Sequence, residues 1–331
     1  MKLLPLLLFT LSTVFGCVDN SSNNNTSISI AAKDATASSG DSLAAPITLA
    51  ISTPHFHFPY RLAEPNESFK MPDKLEEISG LTIDPKNEFL YSVQDEKGNI
   101  YKIDLNSGDV TKKIDFGKDG DYEGLTYHQN TIYITKSNGT IYEVIDPDGE
   151  DPDVTTYKTD LKGKNDVEGL CYQPTSNSLL IACKGIPTMG ETIEEAANRK
   201  FVYRFDLATK KLITEPIYKI TLKKVQQFLK KATHHAEFQN FRSYLDQNNN
   251  FKFSPSGIAI HPKSKEVYIL SSSKKMLLIM NSAGDIQYLA KLNKKIHRQP
   301  EGITFGKDGT LYIANEGKGG HGRIYVYKPR N

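Results

Sequence analysis

Tryptophan is absent from the 331 residues, cysteine occurs three times and methionine five. The core aromatics must therefore be Tyr and Phe. With so few cysteines no disulfide framework holds the fold together. The formal charge is +2, which gives no net-charge argument for nucleic acid or an acidic partner. No apolar run reaches the roughly 20 residues needed to cross a bilayer. No Ser-His-Asp order, HExxH or Gly-rich phosphate loop is written in the chain. The glycines of "GKGGHG" (317–322) join two strand-like runs rather than opening a helix, so they read as a hairpin loop. His234 and His235 stand together without a Cys or third His nearby, which is too few ligands for a zinc site.

The most apolar stretch is at the N-terminus. Lys2 precedes a run from Leu3 to Phe15, closed by Gly16-Cys17. A charged start followed by a short apolar run has the form of an export signal. "VFGC" resembles a bacterial lipoprotein box, with Phe15 bulkier than the usual residue. The expectation is a signal over 1–17 and lipidation of Cys17. An ordinary secretory signal is the alternative. Residues 18–50 are rich in Ser, Asn, Thr, Ala and Asp and carry no aromatic side chain. Such a segment cannot bury enough apolar surface to order itself. It reads as a tether of about 30 residues that reaches on the order of 30 Å. The protein is then a globular unit, 51–331, exported to the bacterial cell envelope and anchored to a membrane.

A repeat decides the architecture of that unit. "DYEGLTY" (121–127) recurs as "DVEGLCY" (166–172) and "QPEGITF" (299–305), and more weakly as "EISGLTI" (77–83) and "SPSGIAI" (254–260). Gly80, Gly124, Gly169, Gly257 and Gly302 are 44, 45, 88 and 45 residues apart. Each unit divides into four short alternating runs separated by turn residues, as in "SGLTID", "EFLYSVQ", "IYKIDL" and "VTKKIDF". Four strands in about 40 to 45 residues make one β-propeller blade. A β-sandwich is the alternative, but it has no need of one residue recurring in every fourth strand.

Two insertions fill the 88-residue gap: 185–200, and 221–250, where apolar spacing of three and four residues predicts amphipathic helices outside the ring. Five blades remain, so the fold class is all-β, a five-bladed propeller with a small helical insertion. The last blade has only three runs before the chain ends. The expected fourth strand is the N-terminal segment 57–63, paired with 323–328, because an open ring would leave an exposed edge. Cys171 and Cys183 lie on neighbouring strands; whether they bridge depends on their register.

The repeats, together with "YRLAEPNESFKMPDKLEEISGLTIDPKNEFLYSVQDE", "SPSGIAIHPKSKEVYILS" and "QPEGITFGKDGTLYIANE", resemble the SdiA-regulated family of bacterial envelope proteins, related to NHL-repeat propellers. The resemblance spans about 57–330. It implies a five-bladed propeller and calcium binding at a shared site, with no established catalytic activity. The helical insertion departs from the family's plain pattern.

The first strand of each blade lines the axis, so the residue before each glycine belongs near the channel mouth. Blade by blade it is Ser79, Glu123, Glu168, Ser256 and Glu301. Carboxylates about 5 Å apart repel by roughly 3 kcal/mol per pair at an effective dielectric near 20. Three solutions are open: Ca2+ held by these five oxygen-bearing residues, a retained proton, or lysines. Lys136 and Lys184, which end neighbouring strands, are placed to pair with Glu123 and Glu168; Glu301 has only Asn315 and Glu316 at the matching place. Asp121, Asp166, Glu77 and Asp95 are secondary acids. Lys223, Lys224, Lys230 and Lys231 form a basic helix face that is either solvated or apposed to anionic lipid.

Three functions are consistent with this reading. The first is a tethered module that binds a small-molecule or protein ligand over a calcium-bearing channel. The second is a calcium-dependent hydrolase of the phosphoesterase, lactonase or esterase kind. The third is a purely structural envelope protein.

Overall fold

Short alternating runs split by turn residues hydrogen-bond locally into antiparallel meanders, and here they make five of them. The computed structural model describes residues 49–186, 198–232 and 252–330. Expectations for Cys17, the tether up to residue 48, most of the first insertion and the remainder of the second lie outside these residues.

Blade one comprises β3 (Ile78–Ile83), β4 (Phe89–Gln94), β5 (Asn99–Asp104) and β6 (Val110–Asp115). Blade two comprises β7 (Tyr122–His128), β8 (Thr131–Lys136), β9 (Ile141–Ile145) and β10 (Asp153–Tyr157). Blade three comprises β11 (Val167–Gln173), β12 (Ser178–Cys183), β13 (Arg199–Asp206) and β14 (Lys211–Thr221). Blade four comprises β15 (Pro255–Ile260), β16 (Val267–Ser271), β17 (Met276–Met280) and β18 (Ile286–Lys291), with β1 (Ala50–Ser52) added as a fifth, outermost strand. Blade five comprises β19 (Pro300–Phe305), β20 (Leu311–Asn315), β21 (Arg323–Tyr327) and, on its outside, β2 (Glu67–Lys70). The inner strands touch in the cycle β3, β7, β11, β15, β19 and back to β3. The ring is closed.

Closure differs from the expectation in one respect. The strand that completes blade five is Glu67–Lys70, with Glu67 opposite Val326 and Lys70 opposite Arg323. The segment 57–63 has another task. Its alternating Phe58, Tyr60 and Leu62 wedge between blades four and five. Phe58 stacks on Tyr288 with ring centroids 4.3 Å apart. The Tyr60 hydroxyl donates to the Gly309 carbonyl at 2.6 Å, and Leu62 is buried in the same apolar cluster. Pro59 has no N–H to give a ladder, and apolar side chains on an outermost strand would be left in water. The polar "ESFK" suits that edge better.

The described part of the insertion, helix α1 (Leu222–Ala232), carries its apolar stripe and sits outside the ring as expected, against the outer strands β14, β18 and β1; the stripe is nevertheless part of a core cluster. Leu222, Val225, Phe228 and Leu229 are buried in one cluster with Leu180 and Val202 of blade three and Leu278 and Leu289 of blade four. The helix seals the junction of these two blades. Cys171 and Cys183 are both buried and free. Cys171 stands opposite Leu180 and Cys183 opposite Val167, three ladder steps apart, so no bridge can close.

Candidate functional site

Each inner strand breaks its ladder at the step before the repeated glycine. The register with the second strand slips between Ile78 and Leu81, Tyr122 and Gly124, Val167 and Gly169, Pro255 and Gly257, and Pro300 and Ile303. This is a β-bulge, which bends the strand and re-aims the side chain at the extra residue. That residue is Ser79, Glu123, Glu168, Ser256 or Glu301 in turn. The glycine follows because the next blade lies against it. A Cβ on Gly80 would sit 2.9 Å from the Glu123 carbonyl oxygen, and one on Gly124 2.9 Å from that of Glu168. At the seam, a Cβ on Gly302 would sit 2.6 Å from the Ser79 carbonyl oxygen. One residue pair thus serves two purposes: the glycine lets the blades meet, and the residue before it lines the axial space in blades three, four and five and brings Glu123 of blade two near Glu168 and Glu301.

The narrow axial space is lined by these glycines, the Leu or Ile after each, and Glu168, Ser256 and Glu301. Ser79, Glu168, Ser256 and Glu301 are buried, and Glu123 is half-buried. The Ser256 hydroxyl donates to the Pro300 carbonyl at 2.7 Å, tying blade four to blade five. The glutamates share their surroundings closely enough to raise each other's proton affinity. Burial pushes the Glu123 carboxyl well up, and the charges of Glu168, Asp121 and Glu301 add to it. Burial pushes Glu301 up to about 8, with further contributions from Glu168 and Glu316, while Gln299 and Lys184 oppose them. Burial also raises Glu168, against the pull of Lys184.

One of the two expected lysine pairs exists. Lys184 Nζ lies 2.6 Å from Glu168 Oε1 and 3.7 Å from Asp166. Lys136 instead stands over the Tyr122 ring, 5.1 Å from its centre, a cation–π contact rather than a partnership with Glu123. Glu301 has no lysine partner: Asn315 turns its amide toward the buried His297, and Glu316 pairs with Lys318 at 3.0 Å. Glu301 Oε2 is buried without a hydrogen-bond partner. Such an orphan oxygen costs free energy unless it keeps a proton or meets a donor or cation.

The secondary acids divide. Asp121 and Asp166 add negative potential around Glu123 and Glu168. Asp95 is pushed up to about 6 by burial and by Glu77, Glu316 and Glu96, and hydrogen-bonds Glu77; its Oδ1 also lacks a partner. These groups precede first strands or follow second strands, so they stand at the same end of the channel as the glutamates. Lys200 escaped the sequence reading. It lies in β13, is held down by burial, and donates to the Lys184 carbonyl. No spacing rule marks it, because β13 returns to this end only after the insertion.

The donors fit calcium in kind, being oxygens alone. Their grouping is not that of a finished cage. Among the described residues no three Asp, Glu, His or Cys side chains are clustered at metal-binding spacing. The arrangement is an acidic well in which Lys184 pairs with Glu168, burial raises the proton affinity of the glutamates, and Glu301 Oε2 is unsatisfied.

Comparison with known proteins places the fold. No curated protein matches in sequence. Among solved structures, glutaminyl cyclase from Myxococcus xanthus is similar with a TM-score of 0.51 and 10% identity, over 80% of this chain and 95% of that one. A luciferin-regenerating enzyme gives 0.46 and 12%, over 80% and 95%. A structural-genomics protein of unknown function from Bacteroides thetaiotaomicron gives 0.48 and 13%, over 75% and 58%. At 10% identity the likeness to the glutaminyl cyclase extends to the fold alone. The family match reaches further: residues 66–318 fit the SdiA-regulated family, and with its five blades and its repeated acid-Gly-Leu step the chain belongs to that family.

Proposed function

We propose that this protein is a binding module of the bacterial envelope, hung from a membrane by a lipid on Cys17, whose acidic channel mouth takes a cation. The observation that carries the reading is Glu301 Oε2, buried and unpartnered, near Glu123 and Glu168, of which only Glu168 is paired with Lys184. An incoming positive charge satisfies that oxygen and displaces the protons that burial keeps on Glu123 and Glu301. Calcium is the first candidate, with Glu123, Glu168 and Glu301 as carboxylate ligands and the Ser79 and Ser256 hydroxyls beside them. The support for it is the all-oxygen donor set. An ammonium or guanidinium of a small molecule or partner protein is the same charge in another form.

Titration with CaCl2 and, separately, with a diamine tests this. Binding of either should release protons and tighten as pH rises through about 8. At a hundredfold excess over Kd it should add about 2.7 kcal/mol of stability. Absence of proton release and of any thermal shift with both would remove the cation reading. Turnover of phosphoester, lactone or ester substrates dependent on added calcium would favour the hydrolase instead.

The anchor has its own test. A fatty-acid probe should label the wild type and not Cys17→Ser. Equal labelling would end the lipoprotein reading while leaving the acidic well untouched.

A further inference from the structure

The strand directions bring three separate pieces of chain to one edge. β14 runs toward the channel-mouth end and passes straight into α1. β18 runs the same way and ends at Lys291, followed by Lys294 and Lys295. β1 starts there, with Ala50 opposite Ala290, and the Lys291 N–H donates to the Leu49 carbonyl at 2.8 Å. The chain arriving from Cys17 therefore joins the propeller at this edge, beside α1, which packs on β14, β1 and β18.

The edge is strongly basic. Burial of Leu222, Val225, Phe228 and Leu229 turns the other side of α1 outward, and Lys223, Lys224, Lys230 and Lys231 are exposed on it. Lys294 and Lys295 are exposed as well. Neither α1 nor the segment 291–300 contains an Asp or Glu. We propose that this edge of blades three and four, carrying Lys223, Lys224, Lys230, Lys231, Lys294 and Lys295, rests on an anionic lipid surface.

Two independent observations meet in that assignment: the clustering of six lysines from two segments, and the entry of the N-terminal chain at the same place. A lipid on Cys17 would be attached to the end of the chain that enters the propeller at this edge. Basic side chains near an anionic surface contribute about 1 kcal/mol each, or about fivefold in partition. No described helix is long and apolar enough to cross a membrane. The acidic well does not oppose the contact. Three strand spacings, roughly 14 Å, separate β15 from β18, against a screening length of about 8 Å at physiological salt. Edge-on docking also leaves the channel mouth open.

The orientation rests on the tethered reading of the protein, but the surface can be tested without the lipid. The full chain carrying Cys17→Ser is sedimented with phosphatidylcholine vesicles, with and without phosphatidylglycerol, at low and high salt. Binding should require phosphatidylglycerol, fall with salt, and weaken about fivefold for each lysine removed in Lys223→Gln, Lys224→Gln, Lys230→Gln and Lys231→Gln. Glutamine preserves helix propensity, so these variants should fold. Lys86→Gln with Lys263→Gln, two lysines removed from turns at the other end of the channel, should leave binding unchanged, whereas Lys223→Gln with Lys224→Gln should weaken it about 25-fold. Equal binding to neutral vesicles, equal loss from the opposite-end pair, or tighter binding to duplex DNA than to phosphatidylglycerol would overturn the assignment. Because Cys17 is replaced throughout, failure here is distinct from failure of lipidation.

Discussion

Glu301→Gln should raise the melting temperature of this protein at pH 9 and leave it nearly unchanged at pH 5. The sign follows from the site. The folded carboxyl titrates near 8 against an ordinary 4.5, so the folded state holds a proton that the unfolded chain releases earlier. The stability this provides is complete below about 4.5 and is lost as pH rises through about 8. At about 1.4 kcal/mol per pH unit the full span corresponds to on the order of 5 kcal/mol. For a domain of this size that is roughly 10 °C. Gln cannot ionise, so the variant escapes the loss. It also relieves Glu168 and Glu316, which face Glu301, at the cost of its weaker attraction to Lys184. Thermal melts from pH 5 to pH 9 read this directly. A variant less stable at every pH would mean that Glu301 is ionised in the fold and needed as a charge. If the mouth holds calcium, the same substitution should remove most of the calcium-induced shift while remaining stabilising without the ion. His297 works in the opposite direction. It is fully enclosed beside Tyr327 and Asn315 and is pushed down to about 4, so its contribution is lost as pH falls from about 6.5 toward 4.

Gly302→Ala should destabilise the ring by about 3 kcal/mol, roughly 6 °C. The added carbon would lie 2.6 Å from the Ser79 carbonyl oxygen, 2.7 Å from Leu81 Cβ and 2.9 Å from the Leu81 nitrogen. Two of these are backbone atoms of the neighbouring inner strand, and β19 and β3 form the seam where the last blade meets the first. Relief requires the blades to separate, which strains every other junction of a closed ring. The smaller entropy of the unfolded alanine chain returns only about 0.4–1 kcal/mol. Gly163→Ala is the control, because nothing lies within 4 Å of its added carbon; it should change stability by less than about 0.5 kcal/mol. Equal effects at the two positions would mean that the close approach at the axis is not what the repeated glycine serves.

Much of this was legible in the chain because the repeat is local. Each inner strand pairs with the strand that follows it and recurs at 44, 45 or 88 residues, so Gly80, Gly124, Gly169, Gly257 and Gly302 mark the five inner strands by spacing alone. The residue before each glycine could be placed at the axis for the same reason. The bulge that turns it there could not, since a register slip depends on how two strands pair. Segment 57–63 was misassigned because its alternation of aromatic residues is compatible both with an edge strand and with a wedge between blades; only the neighbours Tyr288 and Gly309 decide. Helix α1 was legible as a helix from its apolar spacing, but its seat on the outer strands of blades three and four depends on what that stripe meets.

By itself the sequence determined the five-blade count, the inner-strand glycines and the identity of the axial ring, because these follow from short-range periodicity and turn chemistry. Tertiary structure alone decided which charges meet. Lys136 and Lys184 end equivalent strands, yet one reaches Glu168 and the other lies over Tyr122. Glu301 Oε2 is unpartnered because Asn315 turns toward a histidine from the connection before β19. An ion pair depends on a few ångströms of side-chain placement by neighbouring blades, and no spacing along the chain encodes that distance.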